Sequence, residues 1–104
     1  MLQIHLARKE DFIKIMKECL SETRRKIILF WKEKTEENND GEKRVLLLVP
    51  IFYPGVGEWI LWCYSQSLKG EGPEDIAKKF AKEIGITHTA EVIKISTNGE
   101  ELDV

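Results

Sequence analysis

Residues 26–66, KIILFWKEKTEENNDGEKRVLLLVPIFYPGVGEWILWCYSQ, decide the fold of this chain. Three apolar runs alternate with two polar connections. The first run centres on Ile27, Ile28, Leu29, Phe30 and Trp31 and extends over about residues 26–34. It is short, β-branched and aromatic, which favours strand over helix. Residues 35–43 form a polar loop in which Asn39, Asp40 and Gly41 supply turn chemistry with positive φ. The second run, Arg44 to Tyr53, is the next strand. Pro54–Gly55 fits the central pair of a type II turn, and Glu58 to Gln66 is the third strand. Three strands joined in this way form an antiparallel meander.

On either side of the meander the period changes. Leu2, Ile4 and Leu6 alternate with polar residues as in a short strand. Phe12, Ile15, Met16, Cys19, Leu20 and Thr23 then recur at helical spacing, predicting a helix over residues 8–24. Glu10 and Asp11 stand early in it and Arg24, Arg25 and Lys26 late, as the helix dipole favours. After Gly70 and Gly72, Pro73 opens a second helix with Glu74 and Asp75 at its start. Ile76, Ala77, Phe80, Ala81 and Ile84 make its apolar face, and Gly85 closes it. Residues 87–96 read as a last strand, and Asn98–Gly99 either turns the chain into a hairpin or begins a tail. The expected order is β-α-β-β-β-α-β, a single α+β domain over residues 1–104 folded as a two-layer sandwich.

With 104 residues there is room for one core. A hydrophobic content of 42% and a net charge of −2 argue against disorder. The longest apolar run, residues 45–53, is about half of what a bilayer-spanning helix needs, and the charged N-terminal residues do not resemble a signal peptide. A cytoplasmic, non-membrane protein is expected. Cys19 and Cys63 then read as free thiols packed as small hydrophobes. Neither they nor His5 and His88 form a metal-ligand spacing, so no metal or cofactor is expected. The richness in Lys and Glu, with Gln present only at 3 and 66, is similar to the style of heat-loving organisms.

The three strands of the meander do not alternate apolar with polar, as a sheet with one wet face requires. Leu29 and Trp31 oppose Ile28 and Phe30. Val45, Leu47, Val49 and Ile51 oppose Leu46, Leu48 and Phe52. Trp59 and Leu61 oppose Ile60 and Trp62. Both faces demand cover, and two short helices cover about one. Either the helices divide between the faces or the sheet curls on itself. Otherwise a second copy of the chain covers the open face or pairs an edge strand, or a groove admits a ligand or another protein. Phe30, Trp31, Phe52, Trp59 and Trp62 are the candidate interface residues. Pro50 lacks the N–H of a ladder donor, so its strand must be an edge there or bulge.

Two family resemblances bear on chemistry. Lys78 to Ile86 is similar to the end of the Nudix hydrolase signature at Phe80, Glu83, Gly85 and Ile86. Lys79 and Lys82, however, stand where that signature requires metal-binding glutamates, and a cation there repels Mg²⁺. The helix reads as an ordinary amphipathic one. The α-β-β-β-α order resembles the double-stranded RNA-binding domain, which implies lysines at the start of the second helix. Glu71, Glu74 and Asp75 occupy that place instead.

Charge is uneven all the same. Residues 8–34 carry nine Lys/Arg against five Asp/Glu, a net of +4, and the rest of the chain gives 7 − 13 = −6. Arg24, Arg25, Lys26, Lys32 and Lys34 are candidate phosphate contacts. A pI of about 5.7 weighs against a dedicated nucleic-acid binder. No nucleophile stands beside a base in a readable motif, and the glycines of residues 53–58 lack the lysine of a phosphate loop. The expected function is non-enzymatic, through self-association as a homodimer or binding of another protein. A weak nucleic-acid-binding module using residues 24–34 is the alternative.

Overall fold

A computed structural model of the protein describes residues 2–23, 27–36, 41–83 and 90–94. The elements run β1 (Leu2–Leu6), α1 (Lys9–Thr23), β2 (Ile27–Glu36), β3 (Glu42–Tyr53), β4 (Glu58–Ser67), α2 (Pro73–Glu83) and β5 (Ala90–Lys94). This is the α+β order expected from the sequence. The strands form one mixed sheet in the order β1-β4-β3-β2-β5. The meander β2-β3-β4 is antiparallel, and β1 and β5 add parallel strands to β4 and β2.

That topology explains where the helices go. β1, β4, β2 and β5 all run in one direction. The crossovers β1-α1-β2 and β4-α2-β5 both move the same way across the sheet. Right-handed crossovers in the same direction place their helices over the same face. Packing agrees. Phe12 and Met16 of α1 and Ile76, Ala77, Phe80 and Ala81 of α2 are buried in one cluster with Leu29, Trp31, Val45, Leu47 and Val49. Phe12, Tyr64 and Phe80 lie within 5.7–5.9 Å of one another, centroid to centroid, and tie α1, β4 and α2 together. The helices therefore do not divide between the faces.

Local expectations fare unevenly. α1 has Glu10 and Asp11 in its first turn but no basic residue in its last, because it ends at Thr23. Arg24, Arg25 and Lys26 lie outside the described residues, as do Gly85 and the hairpin or tail at 98–104. α2 begins at Pro73 as expected, with the Ile76 N–H donating to the Gly72 carbonyl at 3.1 Å. β3 is the central strand, yet Pro50 is accommodated. The β2 ladder ends at Phe30↔Leu48, and Pro50 lies beyond it, opposite Leu61 of β4.

The turn after β3 is not the expected type II turn. That turn needs positive φ at Gly55, but the left-handed residue is Gly57, with φ 64°. The Tyr53 carbonyl accepts from the N–H groups of both Val56 (3.3 Å) and Gly57 (2.9 Å). Four-residue hairpin loops are most often built around a type I turn, and the bonds to the Tyr53 carbonyl span three and four residues. Gly57 supplies the reversal at the end of the loop.

Candidate binding surface

The strand registers assign the described side chains of the meander to a face. On the helix-covered face β1 contributes Gln3 and His5, which sit beside Ile60 and Trp62 of β4. A polar chain runs along this margin. Gln3 Nε2 donates to Glu58 Oε2 at 2.8 Å, and His5 Nε2 lies 3.2 Å from Gln3 Oε1. Trp62 Nε1 donates to the Tyr53 hydroxyl at 3.0 Å, and its ring meets the His5 ring edge-on at 5.1 Å. Between α1 and the end of β1 is an open cleft of about 520 Å³ lined by Trp62, by the chain at Leu6 and Ala7, and by α1 residues including Ile15. Its rim carries both charge signs, and Arg8 and Asp11 pair across 3.2 Å.

The second face is built differently. Rows run across it from β2 to β1: Phe30, Leu48, Cys63 and Leu6; then Pro50, Leu61 and Ile4; then Phe52 and Trp59. Leu46, Leu48, Leu61 and Cys63 are buried, with Phe30 packed against them. Among the described residues no helix belongs to this cluster. The centre of the face is thus dry, while its β1 margin is not. Ile4 is 41% exposed, Leu6 75% and Trp59 49%. Trp59 leans on Phe52 with ring centroids 5.3 Å apart.

The five aromatic residues proposed from sequence as one interface are separated by this geometry. Phe30, Phe52 and Trp59 lie on the second face. Trp31 is buried under the helices, and Trp62 packs half-buried against the same core. Their positions follow from strand parity, since Trp31 and Phe30 are neighbours in one strand and must point oppositely. Sequence reasoning did not include Ile4 and Leu6. The alternation of β1 was visible, but only its parallel pairing with β4 assigns Ile4 and Leu6 to the face of Trp59.

Of the candidate phosphate contacts, Lys32 and Lys34 are described, and both sit on the second face with Arg44. Glu36 and Glu42 adjoin them. Lys34 Nζ is 4.0 Å from Glu36, and Arg44 is 3.6 Å from Glu42 while its Nε donates to Ser65 Oγ at 2.8 Å. The cations are therefore interleaved with carboxylates and do not form a single-sign stripe.

Cys63 is a free thiol with no exposed surface. Burial pushes its pKa up from the ordinary value of 9.0, against the smaller opposing pull of Lys34 and Lys32. A thiol so placed is a poor nucleophile. Tyr64 is also raised, by burial and then by Glu10, with Arg44 opposing. Among the described residues no group of three or more His, Cys, Asp or Glu is positioned to hold a metal ion, and no helix is long and apolar enough to cross a membrane.

Comparison with known proteins gives no matching family model, no similar curated protein and no similar solved structure. Any functional reading therefore rests on the surface itself.

Proposed function

We propose that the protein is a cytoplasmic binding module that works through self-association, and that its contact surface is the β1 margin of the second face. The observation that carries this reading is the contrast in exposure within one apolar face. Its centre is dry, while Ile4, Leu6 and Trp59 remain in contact with water. Grouped exposed apolar side chains mark contact surfaces, and Trp is enriched among the residues that dominate binding energy. Light scattering on the intact chain at tens of micromolar tests the reading. The expected mass exceeds the 12.1 kDa of one chain and falls toward it in Trp59→Ser and Leu6→Ser. A strict monomer contradicts self-association.

A second reading, weak nucleic-acid binding, is favoured by Lys32, Lys34 and Arg44 sharing a face with Phe30. The carboxylates of Glu36 and Glu42 beside them weaken it. Its test is binding to a single-stranded oligonucleotide across a salt series. Affinity that falls steeply with salt supports it, and no binding at low salt removes it.

A further inference from the structure

The two outer strands of the described sheet differ in composition. β1 and β5 are its outermost strands. β5, AEVIK, carries Glu91 and Lys94, charges of the kind that discourage edge-to-edge pairing. β1, LQIHL, contains no Lys, Arg, Asp, Glu or Pro. Among the described residues no charge or proline of β1 guards this edge, and it is also the edge beside which Ile4 and Leu6 are exposed.

The direction of its backbone groups can be deduced. The Ala7 N–H donates to the Cys63 carbonyl at 2.8 Å, so Ala7 faces β4. Backbone groups alternate along a strand, so Gln3 and His5 also face β4. The N–H and C=O groups of Leu2, Ile4 and Leu6 point away from the sheet. These outward groups are what an added strand would bond.

The sequence of β1 is self-complementary about its own midpoint. Turned antiparallel on a second copy and centred on Ile4, it sets Ile4 against Ile4, Leu2 against Leu6, and Gln3 against His5. The outward-facing residues then form the hydrogen-bonded pairs, each exchanging two bonds. Gln3 and His5 become the closer, non-hydrogen-bonded pairs, where an amide meets an imidazole. No like charges are brought together. Every contact is reciprocal, as a twofold interface requires.

We infer that the occupant of the β1 margin is a second copy of this chain, paired β1 to β1 in antiparallel register centred on Ile4, so that two sheets join into one. This inference rests on the self-association reading and specifies its geometry. So short an edge gives an interface at the small, transient end of the range, and dissociation in the micromolar region is expected, on the order of 1–100 µM.

The experiment compares wild type with three variants by light scattering over that range, with circular dichroism to establish folding. Ile4→Pro removes the outward N–H of Ile4 and leaves the bonds to β4 in place. Ile4→Lys keeps the N–H but sets two cations against each other across the twofold axis. Ile4→Val keeps both the N–H and an apolar side chain. The inference predicts monomers for Ile4→Pro and Ile4→Lys and dimers for Ile4→Val and wild type. Folded Ile4→Pro that dimerises like wild type overturns the inference but spares self-association through the face. A monomeric wild type removes both. Should Ile4→Pro fail to fold, an isotope-filtered NOE on a dimer of labelled and unlabelled wild type decides. An intermolecular contact between the Gln3 and His5 α-protons supports the pairing, and its absence from a dimeric sample overturns it.

Discussion

The two faces of this sheet are equally apolar in sequence and differ in how they are finished. The first is closed by two helices whose Phe12, Met16, Ile76 and Phe80 interlock with Leu29, Trp31 and Leu47. The second holds a small dry centre of Leu46, Leu48, Leu61 and Cys63 and leaves Ile4, Leu6 and Trp59 in water along one side. The difference follows from topology more than from composition. Both crossovers travel the same way, so right-handedness sends both helices to one face. The second face keeps its apolar character without a described helix, and among the described residues its exposed apolar side chains Ile4, Leu6 and Trp59 lie toward the β1 edge. The need for a partner is thereby reduced from a whole face to a margin.

The comparison is most severely tested on the closed face. Phe12→Ala removes the ring that joins α1 to Tyr64 and Phe80, and a loss of about 3–5 kcal/mol is expected in urea unfolding. Next comes the centre of the second face. Leu48 is fully buried, so Leu48→Ala should cost about 2–5 kcal/mol. A cost under about 0.5 kcal/mol would show that this face is not a true core and would break the comparison.

Cys63 supplies a smaller effect with a definite sign. Its folded pKa is raised above the ordinary 9.0, so the neutral thiol is the form the fold favours. Below pH 9 both states keep the proton, and stability is unaffected. As pH rises above 9 the unfolded chain ionises first and stability declines. The decline should be shallower in Cys63→Ala, measured by denaturant titration at pH 7 and pH 10. Tyr64, raised in the same direction, leaves a residual slope in that variant. The smallest change in stability is expected at the margin itself. Leu6→Ser alters an exposed side chain and should change stability by less than about 0.5 kcal/mol while weakening association.

Much of this architecture is legible in the sequence, for reasons that also show where legibility ends. The meander is bounded by strong local signals, among them Gly41 with its φ of 74° and the Pro54–Gly57 loop. Pro73 and the acidic residues after it mark the start of α2. Period-two patterning correctly opposes Trp31 to Phe30 and Trp62 to Trp59. It cannot say which of two apolar faces receives the helices, because that is settled by crossover direction across the whole sheet. The pattern therefore groups Trp31 and Trp62 with Trp59 as interface candidates, although Trp31 is buried under the helices and Trp62 packs against that core. The Pro54–Gly55 reading failed on a finer point. Both glycines of the loop permit positive φ, and only the doubled hydrogen bond to the Tyr53 carbonyl selects Gly57. The margin of Ile4 and Leu6 depends on a parallel pairing between strands more than fifty residues apart, for which no local signal exists.

The central claim is that this protein associates with itself through the β1 margin. It is tested most directly by light scattering of wild-type chain and Ile4→Pro side by side at tens of micromolar. Wild type is predicted to exceed the 12.1 kDa of one chain and to rise toward twice that value with concentration, and folded Ile4→Pro to remain at the monomer mass. Equal monomer masses would contradict self-association itself, and equal dimer masses would contradict the β1-to-β1 pairing.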